Sequence, residues 1–387
     1  MDFGLTDEQQ MFRQAARDWT TNECPKAWAN ELERDEERYP FALWDKMTGA
    51  GLHGVGIDER YGGQGGDVVM QTILAREMSR TLAGLSWVWG ITSFVGAKSI
   101  GLYGSEEQKE RFLPDVAAGR LRFSIGFTEP GGGTDLLGAL RTRASRVDGG
   151  WVLRGQKTWC TQAHVADYIL VLARTFEPVD RRHEGLTLFL LPTGSDGLSV
   201  SLIPKLGQRS MGSCDVGIDD VSVPDDLVLG EPGRAWSHVL GTLNNERILM
   251  AAFCCGIIDG VLEDAIGFMH EREAFGRKIG GFQILQHYVA DVAMWQRQAW
   301  LMTMHAAWLQ SHDKACGTES NMAKLVASEY ATAAADHGIQ ILGGMGYSAE
   351  MDMQRYWRDA RLFRLSPITN EMARNSIAEQ LGLPRSF

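Results

Sequence analysis

No stretch of the 387-residue chain approaches the ~18 consecutive apolar residues that a membrane span requires. The opening Met1-Asp2-Phe3-Gly4-Leu5 also lacks the basic and apolar blocks of a secretory leader, so an unprocessed chain without a span is expected. The six cysteines (Cys24, Cys160, Cys214, Cys254, Cys255 and Cys316) contain no C-x-x-C pair and keep no regular spacing. That argues against a disulfide frame and fits reduced thiols in a cytoplasmic setting. The nine histidines form no H-x-x-x-H or H-E-x-x-H pattern, so no metal site is expected. Positive charge is in deficit as well, with a formal net charge of −11, which argues against nucleic acid as a partner because phosphate backbones demand dense Lys and Arg. Internal repeats and low-complexity tracts are missing too.

What is present divides by period. At this length a single core has stopped growing, so two or three packed units are expected. Residues 1–121 read as helical: Thr6-Asp7-Glu8-Gln9 and Ser105-Glu106-Glu107-Gln108 have the form of capping boxes, and Met11, Phe12, Ala15, Ala16 and Trp19 follow the first at helix-face spacing. The helix opened by the second box is expected to bend or restart at Pro114 and to stop by Gly119. The glycine cluster at 61–66 lacks the strand-to-helix context of a phosphate loop and reads as a plain turn. Residues 122–232 read as a β unit, with a hairpin at Asp148-Gly149 and strands at 168–173, 186–191, 198–203 and 216–223. Helical period returns over 233–387, near 235–272, 283–311, 318–342 and 367–381, and the second of these carries Leu285, Val289, Val292, Ala293, Ala299 and Trp300 on one face. The fold class is thus α+β, mostly α, in the order helices, sheet, helices.

Two stretches carry chemistry. On helical spacing Leu243, Glu246, Met250, Phe253 and Ile257 fall at i, i+3, i+7, i+10 and i+14, which puts a carboxylate on an otherwise apolar stripe. Burial there raises a carboxyl pKa toward the range of a general base, while adjacent Arg247 pulls it back; a salt-bridged surface Glu is the plainer alternative. Residues 126–135, Gly-Phe-Thr-Glu-Pro-Gly-Gly-Gly-Thr-Asp, place three consecutive glycines between Thr128 and Thr134, which lets backbone N–H groups approach an anionic or heteroaromatic ligand edge.

The segment 126–135 closely resembles the first signature of the acyl-CoA dehydrogenase family, T-E-P-G-x-G-[ST]-D, with Phe127 where an aliphatic residue is more usual. Residues 340–347, with Glu350, Arg355 and Asp359 after them, resemble the second signature. Lys157-Thr158-Trp159-Cys160-Thr161 is similar to the family's flavin-contacting Trp-x-Thr, and residues 272–277 with Gln283 are similar to its contacts to the FAD diphosphate and adenine. The likeness covers essentially the whole chain in the same order.

This resemblance implies an N-terminal helical domain, a middle β-barrel-like domain and a C-terminal four-helix bundle. It implies bound FAD, held on the flavin side by Phe127, Thr128, Gly133, Thr134, Trp159 and Thr161, with Thr369 and Glu371 near it. On the adenine side it implies Gln283 together with Arg272, Phe275, Gln340 and Gly344, the last four serving a neighbouring subunit in a homotetramer. It further implies an acyl-CoA substrate met by Thr134, Leu243, Asn244 and Arg247, and electrons passed to electron-transfer flavoprotein or another acceptor. One position departs. Where many members have the catalytic Glu before Gly-Thr-Asn-Glu, this chain reads Ser366-Pro367-Ile368-Thr369-Asn370-Glu371, and proline can accept no proton. Isovaleryl-CoA and long-chain members place the base on the first bundle helix, directly before an Arg, and Glu246-Arg247 matches that pair. Other activities of this fold, such as acyl-CoA desulfination or flavin monooxygenation, and a subunit that only shares FAD in a hetero-oligomer, remain the alternatives.

Overall fold

A computed structural model describes residues 4–35 and 38–385; Met1, Asp2 and Phe3 of the N-terminal reading lie outside them. Helix α1 (Asp7–Glu23) opens on Thr6, whose hydroxyl accepts the Gln9 N–H while the Gln9 side chain accepts the Thr6 N–H, the capping box read from sequence. There follow α2 (Lys26–Leu32), α3 (Phe41–Gly49), α4 (Val68–Met78) and α5 (Ala83–Trp89). The last runs through a π-helical stretch, Gly90–Gly96, into α6 (Ala97–Tyr103). Helix α7 (Glu106–Ala117) starts on the second capping box, at Ser105. It does not restart at Pro114 but runs through it: the bond that proline removes would have gone to the carbonyl of Glu110, an exposed residue that water can reach. Gly119, at φ +66°, closes the segment.

The middle unit contains β1 (Phe123–Gly126), α8 (Leu136–Ala139), β2 (Arg143–Val147), β3 (Gly150–Thr161), β4 (Tyr168–Arg174), β5 (Leu186–Pro192), β6 (Leu198–Leu202), β7 (Ser213–Pro224) and β8 (Val228–Leu229). The β2/β3 hairpin turns at Asp148-Gly149, with Gly149 at φ +76°. In the sheet the order is β6-β7-β3-β2-β4-β5-β8, with β1 added parallel to β4. Strands β2 and β4 pair only at Arg143 and Arg174, so the sheet divides into two halves there. Strands β4 and β5 are buried along nearly their whole length, which explains why they read as unbroken apolar runs.

The C-terminal unit is built on α9 (Ala235–Glu271), a short hairpin of β9 (Glu273–Ala274) and β10 (Arg277–Lys278), α10 (Gln283–Ser311) and α11 (Gly317–Leu342). It continues through α12 (Gly344–Tyr347), α13 (Met353–Leu362) and α14 (Asn370–Gln380). Helix α14 begins three residues later than periodicity predicts because Thr369 is its cap, accepting from Met372 N at 3.2 Å. Helix α13 escapes the sequence reading. Its buried positions include Arg355 and Asp359, which look like surface residues in a hydropathy pattern.

From Ile248 to Val261, α9 is buried all round, because α4 lies on one side and α10 and α11 on the other. The contact with α4 is polar at its centre. Arg76 donates from Nε and Nη2 to the two Asp259 oxygens at 2.7 and 3.1 Å, Gln296 of α10 donates to Asp259 Oδ1 at 2.9 Å, and the guanidinium lies 4.3 Å from the Trp300 ring. The α10 stripe is narrower than expected: Val292, Ala299 and Trp300 are buried, Leu285 and Val289 only half, and Ala293 is exposed. Ile284 and Met294 on the same helix are also exposed, so within one chain α10 has neighbours on one side only. Among the described residues no helix is long and apolar enough to cross a membrane.

Candidate active site

Glu246 lies in the first third of α9, and the apolar stripe it shares is real: Met250, Phe253 and Ile257 are buried and Leu243 is half-buried. The Glu246 side chain is itself half-buried. It is enclosed by enough protein that burial pushes its carboxyl up to about 7, against the pull of Arg247. Arg247 does not neutralise it by contact, because its Nη1 donates instead to Asn244 Oδ1 at 3.1 Å, the oxygen that also accepts from Ser320 of α11 at 3.3 Å. Glu246 accepts no hydrogen bond among the described residues. A half-buried carboxylate with a raised pKa and free lone pairs is equipped to take a proton from a ligand rather than to hold the fold together.

The turn that carries Pro367 is tied to α11, the helix that packs along α9. Lys324, which looks like a surface lysine in the sequence, is fully buried on α11 and donates to Ile368 O at 2.5 Å and Asn370 Oδ1 at 2.8 Å. Burial lowers its pKa to about 8, with Cys254 and Glu371 acting to raise it and Arg247 to lower it, so the amine stands between α9 and the turn. The one sequence signal for it is its place on a stripe of small residues, Ser320, Ala323, Ala327 and Ala331, at helical spacing. Of the two flavin-side residues expected here, the Thr369 hydroxyl is occupied as a cap, and Glu371 is exposed at the start of α14.

The glycine loop follows β1, and β3 runs beside it: Thr158 N donates to Thr128 O at 2.9 Å. Phe127, Thr128 and Thr161 are half-buried, whereas Gly133 and Thr134 are exposed. Trp159 is 53% exposed, an unusual state for an indole, and sits at φ +59° where the register of β3 with β7 breaks. Gly131 and Gly133 have open space where a side chain would project, so a ligand can come up against their backbone. The adenine-side candidates are gathered elsewhere and all face outward. Phe275, at the tip of the β9/β10 hairpin, is 95% exposed, and Arg272, Gln283, Gln340 and Gly344 are exposed as well. The structure thus groups Phe127, Thr128, Gly133, Thr134, Trp159 and Thr161 in one region and Leu243, Asn244, Glu246 and Arg247 in another. The third set is left uncovered by its own chain.

An open glycine-and-indole ledge on a sheet domain, joined to a helical bundle that presents an unpartnered carboxylate, suits an enzyme of helix–sheet–helix build that holds a heteroaromatic cofactor and moves a proton. The chain belongs to the acyl-CoA dehydrogenase family: the family's N-terminal, middle and C-terminal domain models match residues 6–120, 124–221 and 233–382. It is 35% identical over 382 residues to a probable acyl-CoA dehydrogenase, YngJ, of Bacillus subtilis, covering 98% of this chain and 100% of that one. It is 34% identical over 378 residues to the human mitochondrial short-chain specific acyl-CoA dehydrogenase, covering 97% and 90%. Among solved structures, butyryl-CoA dehydrogenase from Megasphaera elsdenii superposes with a TM-score of 0.92 at 31% identity, over 99% of this chain and 100% of that one. The protein is an acyl-CoA dehydrogenase, an FAD-dependent oxidoreductase, and the ledge of exposed glycine backbone and indole fits a flavin.

Proposed function

We propose that the protein converts an acyl-CoA thioester to the trans-2-enoyl-CoA, with Glu246 as the base that removes the α proton. The observation that carries this is the half-buried, unpaired Glu246 carboxyl with its pKa near 7, in a chain whose other position for a base holds Pro367. FAD bound at the glycine loop and Trp159 supplies the acceptor for the hydride that leaves the β carbon. Asn244, by engaging Arg247, keeps the guanidinium from closing on Glu246 as a salt bridge. The thioester carbonyl needs a hydrogen-bond donor as charge builds on its oxygen, and Pro367 has no N–H to give. The next amide, Ile368 N–H, makes no hydrogen bond among the described residues, and Lys324 fixes that residue's carbonyl; we assign the donor role to it.

The relatives named for short acyl groups support a short acyl chain here. Trp87 and Phe253 support it too: packed edge-on with ring centroids 5.6 Å apart and both buried, they fill the space between α5 and α9 about two helical turns beyond Glu246. Anaerobic mixing with acyl-CoAs from butyryl to palmitoyl should bleach the flavin, fastest at the short end. Silence toward every thioester would sink this reading in favour of desulfination, monooxygenation or a non-catalytic FAD-sharing subunit. Because only the ionised carboxylate accepts a proton, the rate constant for flavin reduction should rise with pH through about 7 and then level off. A profile flat from pH 5.5 to 9 would exclude Glu246.

The outward-facing Arg272, Phe275, Gln340 and Gly344 support a second copy of the chain completing each adenine site, in a homotetramer; a solved structure of similar fold from work on an electron transferring flavoprotein supports such a flavoprotein as the electron acceptor. Sedimentation of the yellow protein should give a tetramer. A flavin-saturated monomer would exclude the shared site.

A further inference from the structure

Several buried charged groups stand outside the proposed chemistry, and most of them link one helix to another. One pair does not. Lys157 is fully buried in β3, two residues before Trp159, and its Nζ donates to Glu129 Oε1 at 2.8 Å and to Phe127 O at 3.3 Å. Both ends of this contact belong to segments that the flavin reading uses. Glu129 is also the clasp of the glycine loop: its Oε2 accepts Arg141 N at 2.6 Å, its Oε1 accepts Thr142 N at 2.9 Å, and the loop between leaves and returns to the same carboxylate. Burial acts to raise the Glu129 carboxyl, but Lys157 and the Thr142 contacts outweigh it and hold it below the usual carboxylate range, while burial draws the Lys157 ammonium down against the opposing pull of Glu129.

On the far side of Lys157 the ladder between β3 and β7 loses register up to Cys160, and Trp159 takes its left-handed backbone within that break. A bulky residue holds such a conformation only where its surroundings impose it. They do so through the two residues just before it, since Lys157 is tied to the loop and the Thr158 hydroxyl is tied to Asp215 at 2.5 Å. Replacing one partner of a buried ion pair strands the other, so the arrangement is rigid rather than adaptable.

We infer that the ion pair between Lys157 and Glu129 is a positioning device that locks the 127–133 loop and the Trp159 bulge into one cradle, so that the flavin meets a preformed site. The inference rests on the reading of Phe127, Thr128 and Trp159 as flavin contacts, and neither charged residue touches the reacting atoms. Full-length Lys157→Met and Glu129→Gln are compared with wild type by the thermal midpoint of the apoprotein, the FAD dissociation constant on reconstitution, and the fluorescence of bound flavin at saturating FAD. Expected are a rise of about tenfold or more in that constant, on the scale of a lost charged hydrogen bond, and brighter bound flavin as the indole, a quenching side chain, loses its fixed place beside the loop. In a Trp159→Phe background Lys157→Met should brighten the flavin no further, because the side chain it positions is gone.

A lowered apoprotein midpoint with unchanged affinity and unchanged flavin fluorescence would show a structural plug and overturn the inference. So would an equal brightening in the Trp159→Phe background. If Lys157→Met does not fold, Glu129→Gln, which keeps the size and one acceptor oxygen, decides by the same readouts. Wild type that takes up no FAD would overturn this inference together with the cofactor assignment, whereas normal uptake by wild type and both variants overturns the inference alone.

Discussion

Glu246→Gln should lower the rate of flavin reduction by the best acyl-CoA about 10²–10⁴-fold, the usual loss when a general base is removed, with FAD content and secondary structure unchanged. Gln keeps the shape and the hydrogen bonding but accepts no proton. Glu371→Gln, at the exposed start of α14, should cost little in rate. Adding Pro367→Glu to the Glu246→Gln variant should restore part of the rate if an acid at the other position for a base reaches the same α proton, and no recovery at all would mean that the 366–370 turn, which Lys324 anchors, stands off from the substrate. Near-native reduction by Glu246→Gln would end the assignment.

The same substitution reads the raised pKa by a second route. In the folded chain the Glu246 proton is held up to about 7, above its unfolded value, so the group's contribution to stability is present below about pH 4.5 and is lost as pH rises through about 7. Glu246→Gln removes that loss. The apoprotein midpoint of the variant should match wild type near pH 4.5 and exceed it increasingly up to about pH 7.5, as calorimetry at matched ionic strength would show.

The largest effect on folding should come from Asp259→Ala. That carboxylate takes a bidentate Arg76 and the Gln296 amide in a contact that joins α4, α9 and α10, and removing one partner of a buried pair costs about 3–5 kcal/mol. Urea unfolding should show the midpoint falling accordingly. The paired change Arg76→Met with Asp259→Leu should recover most of the loss, because no charge is then left stranded. A single-variant cost below about 1 kcal/mol would mean that water enters the contact and the pair behaves as a surface one.

Much of this architecture can be read from periodicity. The two capping boxes, the Asp148-Gly149 hairpin and the long α9, α10 and α11 follow from local chemistry, which a linear pattern records. Helix α13 does not, because its buried face carries polar groups whose partners are distant in sequence: Arg355 donates to Thr81 O, and Asp359 accepts from Gln208 N; the true start of α14 is set by the local Thr369 cap, which hydropathy does not record. The site divides in the same way. Glu246 stands out as an acid on an apolar stripe, and the glycine loop by its composition. Lys324, and the link from Lys157 to Glu129, are invisible until the fold brings a helix against a turn and a loop against a strand. A sequence shows that a lysine is there, but not that water has been excluded from it.

Lys324 has one more consequence. The 366–370 turn is specified from behind, by an ammonium on α11 that grips a backbone carbonyl and the Asn370 side chain, and not by the side chain at residue 367. The carbonyl anchor itself therefore makes no use of the side chain at residue 367. The backbone of the turn and the proposed base are thus held by separate elements, α11 and α9, so a change at one need not pass through the other.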